Sequence, residues 1–145
     1  MRDTNAALLL ITFLLIKHFI CDWLLQSNFP YQFSNKGTYG HFGGLLHSGI
    51  ATLGSLVAFI VWTGFIVPSS SLALCLILLL ISSKIWLVLF AEFAFHYHVD
   101  WLKVNLNRWF QLNMTKDAGY WNLIGVDQML HSLSYVTMVW YLLKG

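Results

Sequence analysis

Four histidines and three aspartates in this sequence fall at intervals that chemistry can use. His18 and Asp22 are four residues apart, His96 and Asp100 are four apart, and Asp127 and His131 repeat the interval in reverse order. On an α-helix, residues four apart share a face, so each pair offers an imidazole and a carboxylate to one point. At that distance a carboxylate either ligates a cation beside the imidazole or fixes the ring in one tautomer from behind. With His47 added, the candidate metal ligands are His18, Asp22, His47, His96, Asp100, Asp127 and His131. That is more than one tetrahedral zinc needs and enough for two ions with a bridging water. Imidazole and carboxylate without thiolate suit zinc first, with iron or manganese as alternatives. Such a metal would lower the pKa of a bound water and polarise an ester or phosphoryl oxygen, which is hydrolase chemistry. Whichever of Asp22, Asp100 and Asp127 the metal leaves free is a candidate general base. Gln26 and Gln128 are candidates to orient ligands or substrate, and Lys36 and Lys103 to bind an anionic group.

The elements that must hold these residues are set by composition. Of 145 residues, 58% are apolar and 10% are charged, against about 25% charged in a soluble domain. The reading is an all-α, polytopic membrane protein, a single domain over 1–145 folded as a four-transmembrane-helix bundle. The predicted spans are about 6–26, 43–67, 72–95 with an amphipathic extension to 104, and 121–143. Asn28-Phe29-Pro30 ends the first span and Pro68-Ser69-Ser70-Ser71 makes the turn after the second. Met1-Arg2-Asp3 ahead of an apolar run imitates a secretory signal, but Lys17, His18 and Asp22 follow at once without a small-residue cleavage site, so a retained span is expected. Up-and-down threading brings all four polar clusters to one side. The loops on that side hold Lys36, Lys103, Arg108 and Lys116, and the other side only Arg2 and Lys144. The positive-inside rule then turns the cluster to the cytoplasm of a bacterial inner membrane, with Trp23, Trp101, Trp109, Tyr120 and Trp121 as an interfacial belt. Membrane lipids are the expected partners, together with a second copy or another membrane component. No run of basic residues suggests nucleic acid.

Each feature also has a plainer reading. A histidine in an apolar helix is often a hydrogen-bonded core residue, and the whole set could be a network that only glues the bundle. Ionisable groups within spans cost about 3 kcal/mol each on insertion scales, so seven on one side point to function. A transporter would place such groups at every depth, and only Lys84 and Glu92 are expected deeper than the cluster. Lys84, about 18 Å along the helix from His96, is expected to snorkel or to pair with a buried group such as Glu92. His98 lies about 200° around the helix from His96, and His41 is in a loop, so neither is expected among the ligands. Cys21 and Cys75 read as small buried thiols, and the glycines of the second span as sites of close packing.

The segments His18-Phe19-Ile20-Cys21-Asp22-Trp23-Leu24-Leu25-Gln26, Lys36, His47, His96 to Lys103 and Asp127-Gln128-Met129-Leu130-His131 resemble a family of small bacterial and phage integral membrane proteins with a domain of unknown function. That family's pattern is His-x-x-x-Asp-Phe-x-x-Gln, Lys, His, His-x-x-x-Asp-x-x-Lys and Asp-Gln-x-x-His, and the resemblance covers nearly the whole chain. One departure stands out: where members often carry a second histidine one turn after His47, this chain has Ala51. In style it is also similar to the inner-membrane metal-dependent hydrolases of the YdjM type. The resemblance implies a membrane-embedded His/Asp site; a fold likeness does not fix its chemistry.

Overall fold

The structure is a computed structural model that describes residues 2–29, 33–66, 77 and 81–144. It is all-helical among the described residues, with four long helices. The first, α1, runs Arg2–His18 and continues without a break through a π-helical stretch, Phe19–Leu25, into a last α-turn, Gln26–Asn28. The others are α2 (Phe42–Ile66), α3 (Ser83–Trp109) and α4 (Ala118–Leu143). Each packs on its neighbours in the chain, and α1 and α4 close the ring.

Among the described residues two helices are long and apolar enough to cross a membrane, Thr4–Asn28 and Phe42–Ile66. The expectation of four such spans is met only that far. In α3 the charges Lys84, Glu92 and Asp100 interrupt the apolar run, and in α4 Asp127, Gln128 and His131 do so. The described part of the third span is capped at its start. Within it Ser82 takes extended geometry and its hydroxyl accepts from the Ile85 N–H, so α3 starts at Ser83 and runs to Trp109. The start of that span, the turn at 68–71, Pro30 and Cys75 lie outside the described residues.

The ring of helices encloses two unlike halves. One is an apolar core of Leu10, Leu14, Ala58, Phe59, Ile85, Val88, Leu89, Met138 and Val139, with the Tyr135 ring at its edge. The other gathers the histidines and aspartates. Between them lies a layer to which all four helices contribute: Lys17 pairs with Glu92, donates to the Ala51 carbonyl at 3.0 Å, and sits over the Tyr135 ring, while the Ser55 hydroxyl donates to Glu92 at 2.8 Å. Lys17 is thus the partner of Glu92. Lys84 is exposed and donates to the Lys144 carbonyl, so it does not make the Glu92 pairing offered for it.

The segment 33–41 folds back over the polar half. Phe33 is buried with its ring edge-on to His47, and Lys36 is buried beside it. Asn105 donates to the Gly37 carbonyl at 3.0 Å and the Gly40 N–H donates to the Tyr97 hydroxyl. Gly43 must be glycine here, because any Cβ would run into the Ser34 carbonyl. The His41 Nδ1 accepts from the Gly43 N–H at 3.0 Å and so caps the start of α2.

Candidate metal centre

Asp22, on the wide turn of the π-helical stretch, His47 near the start of α2, and His96 in α3 turn their ligand atoms to one point. His47 Nε2 and His96 Nε2 are 3.0 Å apart, and each is 3.6 Å from Asp22 Oδ1. A triangle with those sides has a circumradius of about 2 Å, which is the length of a Zn–N or Zn–O bond. Asp22 Oδ1 is buried and has no hydrogen-bond partner, the usual mark of an unfilled acceptor. A second group shares His96: its ligand atoms and those of Asp100 and His131 all lie within 4.8 Å of one another. These buried His/Asp groups can hold a metal ion. The Nδ1 atoms of His47 and His96 are buried without partners, so no carboxylate or carbonyl orients either ring from behind.

Asp100 is the hub. Its Oδ2 accepts from Lys36 at 2.8 Å and lies 3.1 Å from His47 Nε2, and its Oδ1 accepts from Lys103 at 2.9 Å. Burial alone would raise its carboxyl, but Lys103 and Lys36 overcome that and hold it well below the usual carboxylate range. Burial opposes the charge on Lys103 too, yet Asp100 and Asp127 push its ammonium above the ordinary lysine value. For Lys36 burial prevails, and its ammonium is lowered despite Asp100. Lys103 also reaches Asp127 Oδ2 at 2.9 Å, where Gln128 Nε2 donates at 3.0 Å.

The other candidates divide. His18 stands at the edge of the cluster: its Nε2 is 3.0 Å from Gln128 Oε1, its Nδ1 is 3.0 Å from the Tyr135 hydroxyl, and Asp22 Oδ2 lies 3.5 Å away. Both ring nitrogens are therefore occupied. Lys36 is held by Asp100 and by Gln26 Oε1 at 2.7 Å and does not line the open cavity, whereas Lys103 does. His98 is exposed beside Tyr39, and His41 serves its cap, as their positions suggested. Sequence reasoning missed Tyr135 and Lys17. For Lys17 a signal was present, since Leu10, Leu14, Lys17 and Cys21 form one buried stripe of α1.

The cavity, of about 250 Å³, opens between α1 and α4. Asp22, Gln26, Lys103, Asp127 and Gln128 make its polar side; Trp23, Met114, Trp121 and Ile124 make its apolar side. Asp100 is not among its lining residues.

No family model matches this chain, and no curated protein and no solved structure is similar to it. The family likeness noted above therefore rests on its motifs.

Proposed function

We propose that this chain is a four-span protein of a bacterial inner membrane in which Asp22, His47 and His96 hold a divalent ion, zinc in the first place, and hydrolyse an ester or phosphoester of an amphiphile at the cytoplasmic face. Two histidines and one carboxylate with open positions are a catalytic ligand set, since a water completes the shell. Four spans are supported by the outer faces of the two more polar helices: Trp86, Leu87 and Phe90 of α3 and Val126, Met129, Leu133, Val136 and Trp140 of α4 are all exposed. A bundle with ion pairs inside and large apolar side chains outside matches lipid better than water.

The single observation that carries the hydrolase reading is the two-sided cavity. Its apolar wall suits an acyl chain arriving sideways from the bilayer, and its polar wall places Asp22, Asp127 and Lys103 where a headgroup would come to rest. The metal would supply an activated water and an electrophile. In the single-ion form Asp127 Oδ1, which has no partner, is free to take the water's proton. Lys103 is positioned to meet developing negative charge.

The two lysines on Asp100 and the deeper Lys17–Glu92 pair favour a second reading. They are permanent counter-ions, and a network neutralised by them holds a bundle together without a metal, as in a transporter or an accessory component of a membrane complex. Elemental analysis of protein purified without chelator, beside a His47→Ala, His96→Ala double variant, separates the two. Metal in the wild type and none in the variant is expected; folded, metal-free wild type would favour the network. Release of phosphate or fatty acid from a lipid panel then tests the hydrolase.

A further inference from the structure

We infer that the centre is built for two ions bridged by Asp100, and that its ligand is a phosphate-type dianion. The inference rests on the metal reading above and deepens it. The Asp22, His47 and His96 triangle accounts for one of the partnerless buried atoms. It leaves two more a short way off: His131 Nε2 and Asp127 Oδ1, both buried, both without a hydrogen-bond partner, and 3.5 Å apart. That separation is at the long limit of a hydrogen bond and fits one edge of a coordination shell whose bonds are about 2.1 Å. Asp100 faces both places. Its Oδ2 lies 3.1 and 3.8 Å from His47 and His96 Nε2, and its Oδ1 lies 3.9 Å from His131 Nε2. A carboxylate spanning two ions through its two oxygens sets them about 3.5–4 Å apart, the spacing of two-metal phosphoryl-transfer sites. Lys36 and Lys103 do not block this, because each carboxylate oxygen has two acceptor positions.

Charge names the ligand. Asp22, Asp100 and Asp127 against Lys36 and Lys103 leave one negative charge, with the histidines neutral as ligands. Two divalent ions bring the centre to three positive charges and a bridging hydroxide to two. A phosphate dianion closes the balance, whereas a neutral carboxylic ester does not. Asp127 then serves as a ligand and not as the base. Asp127 and Asp22, one ligand from each ion, both line the cavity beside Lys103, so a dianion in it meets both ions.

The test is Mn²⁺ titration of the purified chain in detergent, read by metal analysis and electron paramagnetic resonance, with inorganic phosphate as the anion probe. Expected are two Mn²⁺ per chain with an exchange-coupled spectrum that changes on adding phosphate. Asp127→Asn, isosteric and still able to accept from Lys103, should keep one Mn²⁺, give the six-line spectrum of an isolated ion and bind phosphate at least tenfold more weakly. One Mn²⁺ per chain in the wild type, or two uncoupled ions, overturns the inference and leaves the single-ion reading standing. Metal analysis that finds neither Mn²⁺ nor Zn²⁺ bound overturns both.

Discussion

The end of the bundle built from Leu10, Leu14, Phe59, Val88 and Met138 and the end built from Asp22, His47, Asp100 and His131 are made by the same four helices, yet they are specified in opposite ways. In the apolar end each side chain fills volume, and another of similar shape would do. In the polar end charged and imidazole groups stand at fixed distances from one another, and losing one leaves its neighbours less compensated. If lipid surrounds the bundle, the contrast sharpens, because burying leucine against leucine then gains little beyond packing. The polar end carries the directional contacts that set helix order and register.

Breaking the polar end at its hub should have the largest effect. Asp100→Ala leaves buried Lys36 with only Gln26 and Lys103 with only Asp127, a loss of about 4 kcal/mol, seen as a large fall in melting temperature in detergent and as lost metal. Next is the layer between the halves. Glu92→Gln leaves Lys17 buried and unpaired, at about 3 kcal/mol, whereas Lys17→Met with Glu92→Leu should regain most of it; a double variant no more stable than the single would show that the layer does more than neutralise itself. Smaller again, Leu14→Ala in the apolar core should cost about 2 kcal/mol through the cavity it leaves, with metal stoichiometry unchanged. If that variant also loses metal, the two halves are not independent.

The smallest effect concerns pH. The folded-state pKa of Asp100 is depressed, so its contribution is present above the unfolded carboxylate value of about 3.9 and is lost only as pH falls through the lower folded value. The melting temperature of metal-free protein should therefore change little from neutrality down to about pH 4 on account of this group. Metal retention should fail at higher pH than the fold, because protons compete with the ion for its His and Asp ligands. Coincident losses would merge two behaviours the structure keeps apart.

How much of this was legible in the sequence depends on the reach of each interaction. The His/Asp pairs were legible because their signal is local, four residues on a helix, and the side they share follows from threading alone. Lys36, Lys103, Gln26 and Gln128 stood out as polar residues near those pairs, but which of them lines the cavity did not, because that depends on how 33–41 folds over the bundle. The Lys17–Glu92 pair was missed because its members are far apart in the chain and Lys17 reads as the polar end of an apolar run. The π-helical turn at Phe19–Leu25 has no sequence signature that distinguishes it from α-helix, and Ser82 is a cap only in retrospect, since an apolar run flows past it on both sides.

The Lys17–Glu92 pair also bears on how the chain is made. Lys17 emerges in the first helix and Glu92 in the third, 75 residues later. If the bundle spans a membrane as proposed and is threaded in from its N-terminus, its first hairpin carries an ammonium without its carboxylate, a standing cost of about 3 kcal/mol, until α3 arrives. In that case the first two helices would form an assembly intermediate with an unmet charge, and the third would dock against it.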